Sequence, residues 1–237
     1  MTSPTQTESG PLIAELLPPE VACAETREPG ELSQLLAPEA GLIDRWAPRR
    51  VAEFAAGRAC ARRALSAIGH GDWPLLRGED REPLWPTGVV GSITHTDGYC
   101  AAVAARAQQI ATVGIDAEAH DHLPDGILGR ISLPDEAAWV AARAGDGTHW
   151  DRVLFSAKET VFKAWFPLTR RWLEFEGARI ELSPAPRAPG EAQRGTFQAT
   201  LLVEPPAVDG QPLEVLPGRF LITPELILAA ITIPRGA

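Results

Sequence analysis

Apolar residues recur at helical spacing from Ala47 to about Ile68, where Val51, Phe54, Ala55, Ala59, Leu65 and Ile68 form one stripe. Gly69 and Gly71 end it. A second long helical stretch covers HWDRVLFSAKETVFKAWFPLT, residues 149–169, which Pro167 should end or kink. A shorter capped helix is predicted over SLPDEAAWVAARAG, residues 132–145. Between the long helices the pattern changes. GVVGSITHT (88–96) and YCAAVAARA (99–107) read as strands, and Asp97-Gly98 between them is a hairpin signal. ATVGIDAEA (111–119) is a third strand. Four more strand-like runs follow residue 172: LEFEGARIEL, GTFQATLLVE, GRFLIT and LILAAITI. Residues 72–88, crowded with Pro, Gly and Trp, read as a structured loop, residues 183–195 as a mobile loop and residues 1–10 as a loose tail. Short apolar runs between Pro11 and Glu25 fit strand or helix, and Leu32–Leu36 and PEAGLIDRW predict short helices. The order helix, strands, helices, strands predicts an α+β fold rather than a repeating βαβ sheet. AQQIA at 107–111 separates two strands, which suggests an N-terminal half 1–109 and a C-terminal half 110–237.

Composition narrows the function classes. At 45% hydrophobic and 22% charged residues, the 237-residue chain is ordinary globular protein. No apolar run reaches the roughly 18–20 residues that span a bilayer, and the polar start MTSPTQTESG lacks the pattern of a secretory signal. Cys23, Cys60 and Cys100 have neither disulfide-framework nor metal-site spacing. A reducing cytoplasm is the expected location. The net charge of -9 argues against a general nucleic-acid binder. Of 22 basic residues only two are lysines, Lys158 and Lys163, and both lie in one short segment.

Four constellations carry candidate chemistry. Asp116 and Glu118 are two apart on a predicted strand and share a face. Carboxylates that close repel unless a cation lies between them, and Mg²⁺ suits oxygen ligands; a solvated strand end has the same spacing. Glu159 and Lys163 share a face of the second long helix, with Lys158 to one side; alone, they also fit a surface i,i+4 pair. Ser92, Thr94 and His95 end a strand just before a turn, where hydroxyls, imidazole and backbone N–H groups can bind phosphate. Arg50 and Arg58, with Arg49, Arg62 and Arg63, make the first long helix basic, and Arg77 and Arg81 add charge in the loop beyond it. Together these suggest metal-assisted phosphoryl-type chemistry on a polyphosphorylated substrate. No P-loop, G-x-G-x-x-G or G-x-S-x-G appears.

The trio GSITHT, VGIDAE and FSAKETVFKAW resembles the Sfp-type (enterobactin synthetase component D-like) 4'-phosphopantetheinyl transferases, with an actinobacterial flavour in WP and FPLT. The resemblance extends through GRACARRAL, RGEDREPLWPTGVVG and FPLTRRWLEFE, and covers about residues 45–180. It implies two similar α+β halves related by a pseudo-twofold, with the site in the cleft between. It implies transfer of the 4'-phosphopantetheine arm of coenzyme A to a serine of an apo acyl or peptidyl carrier protein, releasing adenosine 3',5'-bisphosphate.

On that resemblance Asp116, Glu118 and Glu159 match the acidic positions for Mg²⁺, with Mn²⁺ as the alternative ion. Glu159 is also the candidate base for the carrier serine. Lys158 and Lys163 would neutralise phosphate charge. His95, with Thr94 and Ser92, would grip the 3'-phosphate. Arg50, Arg58 and Arg77 would hold other coenzyme A phosphates, and Glu82 and Pro83 would meet the adenine. Family members often carry a lysine before that E-P pair; here Arg77 or Arg81 would take its place. Arg170, Arg171 and Trp172 are candidates for carrier docking. The expected protein is a cytoplasmic monomer serving polyketide, nonribosomal peptide, siderophore or fatty-acid synthesis, with no nucleic-acid or membrane partner. Two other readings share these residues: a metal-dependent phosphodiesterase or nucleotide hydrolase, and a non-catalytic coenzyme A-binding module.

Overall fold

The computed structural model describes residues 10–188 and 190–236; the first nine residues of the expected tail lie outside it. Strand β1 (Ala22–Thr26) is followed by a one-turn helix α1 (Ala37–Ala40) and the long helix α2 (Pro48–Ala67). Then come β2 (Val89–Thr96), β3 (Tyr99–Arg106) and β4 (Ile110–Ala119). Three helices follow, α3 (Leu128–Ile131), α4 (Pro134–Ala141) and α5 (Trp150–Thr169). The chain closes with β5 (Ala178–Pro184), β6 (Gln193–Leu201), a two-residue hairpin of β7 (Ala207–Val208) and β8 (Gln211–Pro212), β9 (Val215–Ile222) and β10 (Leu226–Pro234).

The larger strands form two antiparallel sheets. One has order β1-β3-β2 and the other β4-β10-β9-β6-β5. The first lies wholly before residue 110 and the second wholly from there on. Each carries a 20-residue helix on its outer face, but the strand numbers are unequal, three against five.

Burial on both faces explains β3, whose run YCAAVAA is buried throughout. Cys100, Ala102 and Ala104 pack on Ala56, Cys60 and Ala64 of α2. The alternate residues Tyr99, Ala101, Val103 and Ala105 meet Val113, Ile115 and Ala117 of β4 and Leu228 and Ala230 of β10. On the far side of the larger sheet, Val153, Ala157, Val161 and Ala164 of α5 cover Phe220, Ile227, Ala229 and Ile231. The layers are therefore helix, sheet, sheet, helix.

Several local expectations need correction. Pro167 does not end α5 at once: the helix runs on to Thr169 because Pro167 lies in its last turn, and Arg170 then stops it in the left-handed region at φ 53°. The strand expected from Leu173 begins only at Ala178, after a 3-10 turn at Phe175–Gly177. The helix expected over 132–145 spans only Pro134–Ala141. The 183–195 loop is narrower than expected: strand pairing reaches Pro184 opposite Gly195, and the Gln193 amide donates to the carbonyl of Ala185 at 2.6 Å. In PEAGLIDRW the helix stops after one turn, at Ala40.

Strand β4 lies unusually close to α5. A Cβ on Gly114 would fall 2.4 Å from the Thr160 carbonyl oxygen and 2.8 Å from the Ala164 nitrogen. Both are backbone atoms that cannot swing aside. Gly114→Ala should therefore destabilise the fold by roughly 1–3 kcal/mol through overpacking. Gly129→Ala meets open space and a φ that any residue adopts, and should shift the urea midpoint little. Equal midpoints for the two variants would refute the close-approach account.

Candidate functional site

The even positions of β4 face α5 and pair with it in antiparallel sequence. Thr112 Oγ1 donates to the Ala164 carbonyl at 2.7 Å. Gly114 abuts Thr160 and Ala164. Asp116 Oδ2 accepts from Ser156 Oγ at 2.8 Å, and its Oδ1 accepts from Lys163 Nζ at 2.7 Å. Glu118 Oε2 pairs with Arg152 Nη1 at 3.0 Å. Two strand residues rise about 6.7 Å and four helix residues about 6 Å, so the steps stay nearly in phase. Glu159 lies on the same stretch of α5, half-buried.

Burial, then the charge of Asp116, raises the pKa of Glu118 above its ordinary 4.5, against the pull of Arg152 and Lys163. Burial and Asp116 raise Glu159 likewise, and Lys163 opposes them. Three carboxylates that share two cations, and still repel, make a donor set suited to a hard divalent cation. They are not drawn to ligand spacing. Among the described residues, the group whose ligand atoms all lie within 4.8 Å of one another is His122, His149 and Asp151. For an ion at the trio, the side chains of Glu118 and Glu159 would have to turn inward.

Beside Lys163 opens a cavity of about 900 Å³. Its walls hold Arg50, Arg58, Arg77, Arg81, Glu82, Pro83, Ser92, His95 and Lys163, all singled out from the sequence. Aromatic rings complete the lining: Phe166 and Trp172, and also Trp46, Phe54 and Trp85, to which the sequence reading assigned no role at the site. The arginines lie on these rings. Arg50 is 4.3 Å and Arg77 5.3 Å from the centre of Trp46, and Arg58 is 4.1 Å from that of Phe54. Burial depresses Arg58 to about 10, helped by Arg77 and Arg62 against Glu39. Burial also lowers Arg77, with Arg81 and Arg50 adding repulsion. Cations pressed together in this way favour an anionic ligand. Across the two halves, Arg170 Nη1 pairs with Glu82 Oε1 at 2.5 Å, and both residues line the cavity.

Three expectations change. Lys158 is 4% exposed, and its ammonium pairs with Glu136 at 2.9 Å and donates to the carbonyls of Phe175 at 2.8 Å and Ala178 at 2.6 Å. With three acceptors in place it holds the chain after α5 rather than a phosphate. It lies five residues from Lys163, about 140° around the helix. Thr94 is also spent internally: its Oγ1 accepts the Ala117 N–H at 2.9 Å and lies 3.3 Å from Asp116 Oδ1. Ser92 Oγ accepts the Ile115 N–H at 3.1 Å. These hydroxyls join β2 to the edge of β4, which leaves His95, exposed on the cavity wall, as the free side chain of that motif. Of the docking candidates, Arg170 and Arg171 pair with Glu82 and Glu204, while Trp172 is 71% exposed against Phe162. Arg152 and Ser156 were missed. Their spacing was the available signal, since 152, 156, 159 and 163 form one helical stripe.

Comparison with known proteins adds an independent line. Residues 38–105 match the model of the 4'-phosphopantetheinyl transferase N-terminal domain, and residues 112–209 that of the 4'-phosphopantetheinyl transferase superfamily. The chain is 44% identical to the 4'-phosphopantetheinyl transferase Svp of Streptomyces mobaraensis, over 95% of this chain and 91% of that protein. It is 43% identical to the 4'-phosphopantetheinyl transferase PptT of Mycobacterium tuberculosis, over 94% of this chain and 99% of that protein. It is 36% identical to enterobactin synthase component D of Salmonella typhi, over 49% of this chain and 48% of that protein.

Lys158→Met strands Glu136 in the interior, and loss of one member of a buried pair costs roughly 3–5 kcal/mol. The expected result is a large drop in thermal midpoint, with catalytic activity kept below it. Loss of activity at an unchanged midpoint would return Lys158 to the phosphate-binding set.

Proposed function

The chain belongs to the Sfp-type 4'-phosphopantetheinyl transferases, and from that premise we propose how its residues carry out the transfer of phosphopantetheine from coenzyme A to carrier proteins. The observation that carries the proposal is Lys163, which lines the basic cavity and also donates to Asp116. It links an anion-binding wall to the carboxylate trio.

In this reading the adenosine end of coenzyme A lies in the aromatic and arginine-lined cavity. Arg50, Arg58, Arg77 and Arg81 hold its phosphates, and His95 faces the 3'-phosphate. Glu82 and Pro83 border the adenine. Lys163 meets the pyrophosphate, where charge grows on the leaving side. Asp116, Glu118 and Glu159 would hold Mg²⁺ or Mn²⁺, which when bound stabilises charge on the pyrophosphate oxygens. Ser156 and Thr94 fix the angle of Asp116, and Arg152 that of Glu118.

Glu159, its pKa raised by burial and Asp116, is the base. It takes the proton of the carrier serine as that oxygen forms a bond to the phosphorus bearing the pantetheine arm. The bond from that phosphorus to the other phosphate breaks, and adenosine 3',5'-bisphosphate leaves. The first half, 1–109, supplies the basic wall, and the second, 110–237, the carboxylates and base. Trp172, the exposed ring beside the cavity, is the anchor offered to a carrier. A monomer acting in the cytoplasm on carriers of polyketide, nonribosomal peptide, siderophore or fatty-acid synthesis fits these features. Among the described residues no helix is long and apolar enough to cross a membrane.

Intact-mass spectrometry of an apo carrier with coenzyme A and Mg²⁺ tests the reaction. One phosphopantetheine should be added, and chelator should abolish the addition. Cleavage of coenzyme A without transfer would favour a hydrolase, and tight coenzyme A binding without either would favour a binding module. Glu159→Gln should slow transfer by about 10²–10⁴-fold while leaving the thermal midpoint equal or higher, since a repelling buried charge is removed. A variant with full activity would overturn the role of Glu159.

The raised pKa values of Glu118 and Glu159 also set a pH dependence. As pH falls toward them, both sites protonate before an ordinary carboxylate would. Mg²⁺ affinity, measured by calorimetry, should therefore begin to fall at a higher pH than it would for carboxylates of ordinary pKa. Affinity that stays flat down to the ordinary carboxylate range would place the ion elsewhere.

A further inference from the structure

Behind the carboxylate trio, at the other end of the same strand–helix contact, lies a second polar cluster that the transfer reaction does not use. The segment after β4 reads His-Asp-His-Leu, and His149 caps the start of α5, which begins Trp-Asp-Arg. The rings of His122 and His149 are 4.0 Å apart between centres, and His120 lies 5.0 Å from His149. His122 Nδ1 is 3.6 Å from Asp151 Oδ2. One ligand atom from each of His122, His149 and Asp151 falls within a common 4.8 Å.

We propose that His122, His149 and Asp151 form a binding site for a divalent transition metal ion of the zinc type. Two imidazoles and one carboxylate are the donor set such an ion prefers, whereas Mg²⁺ prefers oxygen alone. Tetrahedral zinc, with bonds of about 2.0–2.1 Å, holds its ligand atoms about 3.3 Å apart. The His122–Asp151 separation is close to that, and the exposed His122 ring is free to close the remainder.

The cluster is also held in place. Arg152 donates to the carbonyls of Asp121 and His122 at 3.2 and 2.7 Å, which fastens the loop onto the first turn of α5. Asp151 Oδ2 accepts the Leu123 N–H at 2.9 Å and so faces the loop. His120 orients its neighbour: its Nδ1 meets the Thr223 carbonyl at 2.9 Å, and its Nε2 accepts the backbone N–H of His149 at 3.4 Å. His149 Nδ1 is buried with no hydrogen-bond partner among the described residues. A bound ion would give that nitrogen, or the ring that carries it, a partner.

Two terms oppose binding, the positive end of α5 and the guanidinium of Arg152. The Asp151 charge offsets the first. The second bears on function, because Arg152 also holds Glu118. An ion at this site repels the guanidinium that positions one of the trio, so the two sites are coupled through a single side chain.

The test uses the full chain, without a histidine tag and stripped with chelator, titrated with Zn²⁺ in the presence of excess Mg²⁺. Binding of one equivalent is expected. It should weaken at least about tenfold in His122→Ala, whose exposed ring is not needed for folding, and persist in Glu159→Gln. Co²⁺ should give the intense visible bands of a tetrahedral site without a thiolate charge-transfer band. Absence of binding, equal binding in His122→Ala, loss only in Glu159→Gln, or a thiolate band would each overturn the proposal.

Discussion

The register of β4 against α5 is the constraint on which the rest of the site depends. Asp116 projects from a strand and Lys163 from a helix, and they meet at 2.7 Å because Gly114 lets the two backbones approach. A side chain at position 114 would push the helix away. Because the residues at 112, 116 and 118 face the same surface of α5, that push would act on every one of their partners. The apolar residues between them, Val113, Ile115 and Ala117, anchor the opposite face of β4 in the core between the sheets. A one-residue slip would put the carboxylates into that core and the aliphatic residues toward the site, at a cost no fold of this size could bear.

The charges of the site are arranged in two opposed groups, each under internal repulsion. Arg58 is depressed by burial and by Arg77 and Arg62, and Arg77 by burial and by Arg81 and Arg50. Glu118 and Glu159 are raised by burial and by Asp116. The protein alone satisfies neither group completely. A ligand that brings phosphates to the arginines and a cation to the carboxylates relieves both at once. The net charge of -9 conceals this. What matters is that basic groups line one cavity within an acidic chain, with Lys163 between the two groups.

Much of this was legible in the sequence because it rests on periodicity. The period of two put Asp116 and Glu118 on one face, and the period of 3.6 put Glu159 and Lys163 on one stripe. The Asp97-Gly98 hairpin follows from turn chemistry, with Gly98 at φ +67°. Less legible was whatever depends on contacts between distant elements. Nothing local indicates that β1 pairs with β3, or that Ser92 and Thr94 serve as substitute ladder partners for β4. Their hydroxyls had two plausible uses, and only the proximity of the β4 edge decides between them. Pro167 misled because the rule against proline inside a helix weakens near its end: α5 stops three residues later, at the αL cap of Arg170.

The two lysines show where counting residue types stops being informative. Their scarcity among 22 basic residues marked the segment, yet it could not divide the labour between them. Helical geometry does. Lys163 points along the stripe that faces β4 and reaches Asp116. Lys158, about 140° away, points toward α4 and the chain that leaves α5. There Glu136 already accepts the backbone N–H groups of Leu133 and Ile180, at 2.7 and 2.6 Å. Lys158 completes a buried node joining α4, α5 and β5. That node adds a polar tie to the apolar face of α5, whose Val153, Ala157, Val161 and Ala164 are already packed in the core and turn Glu159 and Lys163 toward β4. One lysine thus stands between the carboxylates of β4 and the basic cavity, and the other ties α5 to α4 and β5.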